Sequence, residues 1–147
     1  MRFLMIGAGG IGAYYAARLL KNGHEVVLTA RGDHLLALQQ QGLEIQHPEF
    51  SFQGPVTAVS HTELIQRYTA DQFDLLIISL KAGATAPVLE ELRDWLEGAD
   101  TPMLSLQNGV DNEPQIAAQL GNNRTAGGLA VRIGGHIIQP GVIEAKG

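Results

Sequence analysis

Apolar and polar positions along this chain fall into short uncharged runs that alternate with longer segments of helical period. Phe3 to Ile6 is an apolar run that ends in glycines, the pattern of a buried parallel strand, and Ile11 to Asn22 then runs helically to a stop at Gly23. Gly12 and Ala16, four apart, give that helix a smooth stripe that can lie close on a sheet. His24 to Thr29 predicts a second strand and Asp33 to Gln41 a second helix ending at Gly42, so strand, helix and strand follow within about thirty residues, the size of one βαβ unit. From Leu43 to Ser60 the alternation in "LEIQH" and "VTAVS", with Pro48 and Pro55 between, predicts short strands or irregular edges. Asp74 to Leu80, "DLLIISL", is apolar on both faces, as a strand covered by helices on both sides must be. A helix over Thr85 to Leu96, a strand over Met103 to Leu106 and a helix over Glu113 to Leu120 complete the series.

This repeated order predicts an α/β protein with a Rossmann-like, doubly wound parallel sheet and right-handed crossovers. The final segment, "TAGGLAVRIGGHIIQPGVIEAKG", lacks a helical period. It predicts a strand near Leu129 to Ile133 and a hairpin turning at Pro140 and Gly141, a C-terminal antiparallel extension that closes the sheet.

Composition narrows the function classes. The 147 residues suit one globular domain, and a net charge of −5 gives no global pull towards nucleic acid or an acidic membrane, so any anion site must be local. No cysteine is present, which excludes disulfide and thiolate chemistry and fits a reducing cytoplasm. The five histidines, His24, His34, His47, His61 and His136, show no metal-ligand spacing. The uncharged run after Met1 and Arg2 is not expected to be a secretory signal, because glycines at 7, 9, 10 and 12 would weaken a signal helix. No apolar stretch approaches the ~20 residues of a membrane span.

"GAGGIG" places Gly7, Gly9 and Gly12 in a G-x-G-x-x-G pattern between a strand and a helix. In that context Gly7 permits the tight turn, Gly9 lets backbone approach a pyrophosphate, and Gly12 allows helix and strand to pack. The helix dipole and its unpaired first amides then face the anion. A purely structural glycine turn is the alternative. Arg31 follows the second strand about nineteen residues beyond Gly12, where an acidic residue would hold the adenosine ribose of NAD. An arginine there can instead bond a 2′-phosphate, which points to NADP; a solvated surface arginine is the bland reading, and Asp33 is a rival for the acidic role. Lys81 directly after "LLIISL" and Asn108 after "MLSLQ" sit at the ends of further strands. The lysine suits ribose, pyrophosphate or a substrate carbonyl, and the amide suits the nicotinamide ribose and substrate; an exposed lysine and an Asn-Gly turn are the alternatives. No G-x-S-x-G turn or paired-carboxylate spacing supports a hydrolase.

Taken together, "MIGAGGIG", the arginine after the second strand, "ISLKA", "SLQNGV" and the terminal G-G-x-I-x-x-P-G hairpin resemble the 2-dehydropantoate 2-reductase, or ketopantoate reductase, family over essentially the whole chain. The resemblance implies that Gly7, Ala8, Gly9, Gly10, Ile11 and Gly12 hold the pyrophosphate and Arg31 the 2′-phosphate of NADP. It further implies that Lys81 and Asn108 lie on the nicotinamide side, with Asn108 also near substrate, and that Val131 makes a backbone contact. The implied reaction is transfer of a hydride from NADPH to the ketone of 2-dehydropantoate, giving pantoate for coenzyme A synthesis. The proton donor in such enzymes is a lysine in a second, helical domain, which would follow Gly147; residues 1 to 147 are thus expected to be the NADP-binding domain, catalytically incomplete alone. Reduction of another 2-oxoacid and a stand-alone NADP-binding sensor are the rival expectations. No nucleic-acid or membrane partner is expected, and the face that would meet the helical domain leaves oligomerisation open.

Overall fold

Ten strands and six helices form two sheets in a computed structural model that describes residues 1–81, 83–106, 112–127 and 134–146. The first unit is β1 (Arg2–Ile6), α1 (Gly10–Lys21), β2 (Glu25–Thr29) and α2 (Gly32–Gln41). Three short strands follow, β3 (Leu43–Gln46), β4 (Phe52–Gly54) and β5 (Thr57–Val59), then α3 (His61–Arg67). The second half contains β6 (Leu75–Ile78), α4 (Thr85–Glu91), α5 (Arg93–Glu97), β7 (Met103–Ser105), α6 (Asn112–Leu120), β8 (Thr125–Gly127), β9 (Gly134–Gln139) and β10 (Val142–Lys146).

Six strands pair in the order β5-β2-β1-β6-β7-β8, every pair parallel. Sequence neighbours run outward from β1 in one direction and then, after β5, from β6 in the other. The order therefore reverses between β1 and β6, and this switch point opens a crevice at the carboxyl ends of the strands. Alternation along β1 divides the core: Phe3 and Met5 join one buried cluster with Ala13, Ala16, Ala17, Val26, Leu28 and Leu38, whereas Leu4 and Ile6 join another with Val27, Leu76, Ile78, Leu89 and Leu96. A strand with both faces covered must be apolar throughout, and Leu4, Met5 and Ile6 are fully buried.

The antiparallel pair expected at the C-terminus forms, with β9 and β10 joined at Pro140 and Gly141, where Gly141 has φ 82°. It does not close the parallel sheet, however. β10 pairs in parallel with β3, and β3 in antiparallel fashion with β4, giving a separate sheet ordered β4-β3-β10-β9. The physical reason lies in α1, which is too apolar to face solvent once one side rests on the parallel sheet. Its Tyr14 is buried against Phe50, with ring centroids 5.7 Å apart, and Ile143, Ala145, Leu43 and Ile45 fill the same cluster. The small sheet thus covers the outer side of α1.

Two other differences from the sequence expectation are local. The single helix expected over Thr85 to Leu96 divides at Leu92 (φ −96°, ψ 7°) into α4 and α5. α3 was not expected; it starts at a capping box in which Glu63 N–H donates to the Ser60 hydroxyl and Ser60 N–H donates to the Glu63 carboxylate. That backbone donation holds the Glu63 carboxyl below the ordinary carboxylate range. The strand expected near Leu129 to Ile133 lies outside the described residues.

Packing of α1 on the sheet depends on Gly12, where a Cβ would stand 2.2 Å from the Gly7 carbonyl oxygen. The obstacle is backbone and cannot rotate aside. Gly12→Ala is therefore expected to cost at least about 2 kcal/mol, read as a lowered urea midpoint at unchanged slope. A loss below about 0.5 kcal/mol would contradict this packing.

Candidate nucleotide-binding crevice

Parallel register brings the expected site residues to one edge. Ile6 stands beside Ile78, and Ile78 beside Ser105, so Gly7, Ser79 to Lys81 and Leu106 leave their strands at one level, while Met5 beside Leu28 sets the end of β2 next to them. Gly7 turns with φ 104°, and a Cβ on it would meet the Ser79 carbonyl oxygen at 2.2 Å. Its N–H donates to Thr29 Oγ1 at 3.0 Å, so a buried hydroxyl at the end of β2 fixes the entry to the loop. Ala8 is buried in the α1-side core.

Gly9 behaves differently. It is the N-cap of α1, with φ −75° and ψ −168°, a conformation open to any residue, and among the described residues a Cβ there would meet nothing within 4 Å. Neither the fold's packing nor its backbone demands glycine at this position; what the missing side chain leaves is space. The first intrahelical bond runs from Ala13 N–H to Gly9 C=O at 2.9 Å, so the amides of Gly10, Ile11 and Gly12 have no intrahelical acceptor. Among the described residues no side chain caps this end, and no acidic residue stands in its first turn. The positive end of a twelve-residue helix therefore lies beside the space at Gly9. Gly10 has a separate structural cause, because a Cβ there would come within 2.1 Å of the Gly135 carbonyl oxygen on β9.

Arg31 lies one residue past Ala30, whose N–H donates to Val59 C=O at the end of β5. It is the N-cap of α2, exposed, and among the described residues has no ion-pair partner. Asp33 is likewise exposed in the first turn of the same helix, separated from Arg31 by Gly32 at φ 63°. Lys81 is exposed after β6, its carbonyl accepting from Ala84 N–H at 3.0 Å. The loop, Arg31 and Lys81 thus border one edge of the sheet. Asn108 and Val131 lie outside the described residues.

Sequence reasoning missed two residues here. Thr29 is polar at the end of β2, but Glu25 at the other end is polar too, so residue type alone did not single it out. His34 had no signal either: its Nε2 is 2.6 Å from the Ala8 carbonyl oxygen and its Nδ1 accepts from Gly141 N–H at 3.0 Å, and that second partner is 107 residues away. Two clefts lie elsewhere. One of about 240 Å³ lies between α2 and β4, and one of about 430 Å³ is bordered by Arg2, Glu25 and Tyr68 near the amino ends of β1 and β2. Strand polarity and the α1 terminus favour the opposite edge for an anionic ligand.

The chain is similar to several known proteins over its full length. The family described as "Ketopantoate reductase PanE/ApbA" matches residues 3–147. A 2-dehydropantoate 2-reductase of Pyrococcus horikoshii is 33% identical over 147 residues, all of this chain and 45% of the relative. An uncharacterized oxidoreductase of Bacillus subtilis, YkpB, is 30% identical over 88% of this chain and 40% of its own length. Among solved structures, 2-dehydropantoate 2-reductase from Geobacter metallireducens superimposes with a TM-score of 0.86 at 29% identity, covering all of this chain and 46% of that one. A D-mandelate dehydrogenase with NADH and anilino(oxo)acetate has the same fold, with a TM-score of 0.86 at 22% identity over 100% of this chain and 46% of that one. The chain spans about half the length of the relatives it matches.

The contrast between two glycines is testable. Gly9→Ala should leave stability within about 1 kcal/mol of the wild type, since its cost is limited to a poorer N-cap. Thermal unfolding of Gly9→Ala and Gly10→Ala side by side checks this: a loss at Gly9 matching that at Gly10 would mean the space beside Gly9 is filled by the protein itself.

Proposed function

Because the chain belongs to the ketopantoate reductase PanE/ApbA family, we propose that residues 1 to 147 are the NADP-binding domain of an enzyme that reduces a 2-oxoacid, with 2-dehydropantoate as substrate and pantoate as product. The observation that carries the reading is the space that the described residues leave beside Gly9, at a helix N-terminus whose N-cap has no side chain. A pyrophosphate fits this cradle by charge and by shape: the Gly10, Ile11 and Gly12 amides donate to it and no Cβ intrudes. Arg31 would take the 2′-phosphate through charge-assisted hydrogen bonds, and its lack of an ion-pair partner among the described residues supports that role. Lys81 would stand on the nicotinamide side, and Asn108 and Val131 take the places given by the family resemblance, with Asn108 also reaching substrate.

A reduced nicotinamide, when bound, supplies a hydride to the ketone carbon of the 2-oxoacid. This domain's own residues bind and orient: the glycine loop would hold the central pyrophosphate, Arg31 the adenosine end, and the ends of β6 and β7 would flank the nicotinamide end. The carbonyl oxygen must receive a proton as the ketone is reduced. We assign that proton to a lysine in a helical domain following residue 147, which also supplies most substrate contacts, so the chain by itself is not expected to turn over. The lack of cysteine and the cofactor's chemistry suit the cytoplasm.

Fold alone does not choose between dinucleotides, since the D-mandelate dehydrogenase of the same fold holds NADH. The choice rests on Arg31 against Asp33. Equilibrium titration with NADPH and NADH is expected to show at least about a tenfold preference for NADPH, removed by Arg31→Ala and left in place by Asp33→Asn. Equal affinity of the wild type for both would refute the 2′-phosphate role, and a reversed preference would make Asp33 the ribose ligand and NAD the cofactor. Gly9→Val should bind neither dinucleotide while remaining folded, because its side chain occupies the pyrophosphate's space.

A further inference from the structure

We infer that His34 is a positioning residue that sets the direction of the phosphate-binding loop, acting through a single neutral tautomer; the inference rests on the loop's role in holding a dinucleotide. A backbone N–H can only donate, so Gly141 N–H fixes Nδ1 of His34 as the acceptor, at 3.0 Å. A carbonyl can only accept, so the proton resides on Nε2 and is donated to Ala8 C=O at 2.6 Å. The two partners thus specify the Nε2–H form independently and agree.

The consequence lies in the peptide between Ala8 and Gly9. Its planarity holds the carbonyl and the following N–H on opposite sides, so drawing Ala8 C=O towards His34 turns the Gly9 N–H away from it. Gly9 is the loop glycine at which, among the described residues, a Cβ would meet nothing, and the bond to Ala8 C=O is one of the contacts that set the direction of its amide. His34 also lies in the first turn of α2, three residues after Arg31, the N-cap of that helix. One imidazole therefore ties together the loop before α1, the helix start that carries Arg31, and the turn of the β9–β10 hairpin. Among the described residues the half-buried ring meets the loop through the Ala8 carbonyl and makes no bond to Arg31, so its effect is exerted through the backbone it holds.

Substitutions can cut the two bonds separately. His34→Gln keeps an amide donor at the reach of Nε2, and His34→Asn keeps an acceptor near Nδ1 but cannot reach Ala8. Titrating the chain with NADH and with NADPH, we expect His34→Ala and His34→Asn to weaken both by a similar factor of about ten, since the pyrophosphate is common to the two. His34→Gln should stay within about threefold of the wild type. A role confined to stability would instead leave affinity unchanged in every variant that remains folded, as judged by amide spectra, and that result overturns the inference. Loss of affinity in Gln as large as in Ala does so as well. Should the variants not fold, nitrogen-15 spectra of the wild-type imidazole decide: a proton on Nε2 is expected, and a proton on Nδ1 overturns it. A wild-type chain that binds neither dinucleotide would overturn the cofactor reading and this inference with it; equal binding by wild type and His34→Ala overturns this inference alone.

Discussion

Close contact between backbone and backbone at the junction of β1, α1 and β6 is the constraint from which the rest of the structure follows. Gly7 lies against the Ser79 carbonyl and Gly12 against the Gly7 carbonyl, each at a distance that admits no side chain. These contacts seat the helix on the sheet with its first turn at the switch point, and they leave the following amides without intrahelical acceptors. A helix terminus placed in this way satisfies its unpaired N–H groups with water or with an anion. The same requirement for close packing makes α1 rich in alanine and glycine, and so leaves it dependent on a second sheet to cover its outer side.

That second sheet links β3 and β4 to the C-terminal hairpin. β3 and β10 are separated by nearly a hundred residues yet lie side by side, and Gly10 against Gly135 and His34 against Gly141 bind the hairpin to the loop region. The "GAGGIG" glycines thus divide by cause. Gly7 and Gly12 serve the junction, Gly10 serves the hairpin, and at Gly9 a Cβ would meet nothing among the described residues. Within a motif that reads as one unit, a single position carries the argument for a ligand.

Much of this was legible from pattern alone, and the reasons are physical. The parallel strands are apolar on both faces because helices cover both, and each helix of the first unit stops at a glycine or just before one, so β1, α1, β2, α2 and β6 could be placed within one or two residues. The destination of the C-terminal hairpin could not, because parallel pairing of β3 with β10 depends on contacts far apart in sequence that no local period records. α3 was readable in principle from Ser60 and Glu63, whose spacing is that of a capping box. In the candidate site, Gly7, Gly9, Gly12, Arg31 and Lys81 announced themselves by residue type at strand ends. Thr29 and His34 act on backbone groups, a use that leaves little trace in sequence.

The central claim is that an anionic dinucleotide binds at the uncapped start of α1. Its most direct measurement is the set of backbone amide chemical-shift changes on adding NADPH to the nitrogen-15-labelled chain. The account predicts the largest changes at Gly9 to Gly12, with further changes at Arg31 and at the end of β6. Changes confined to Arg2, Glu25 and Thr57 at the opposite edge of the sheet, or none at all, would contradict it.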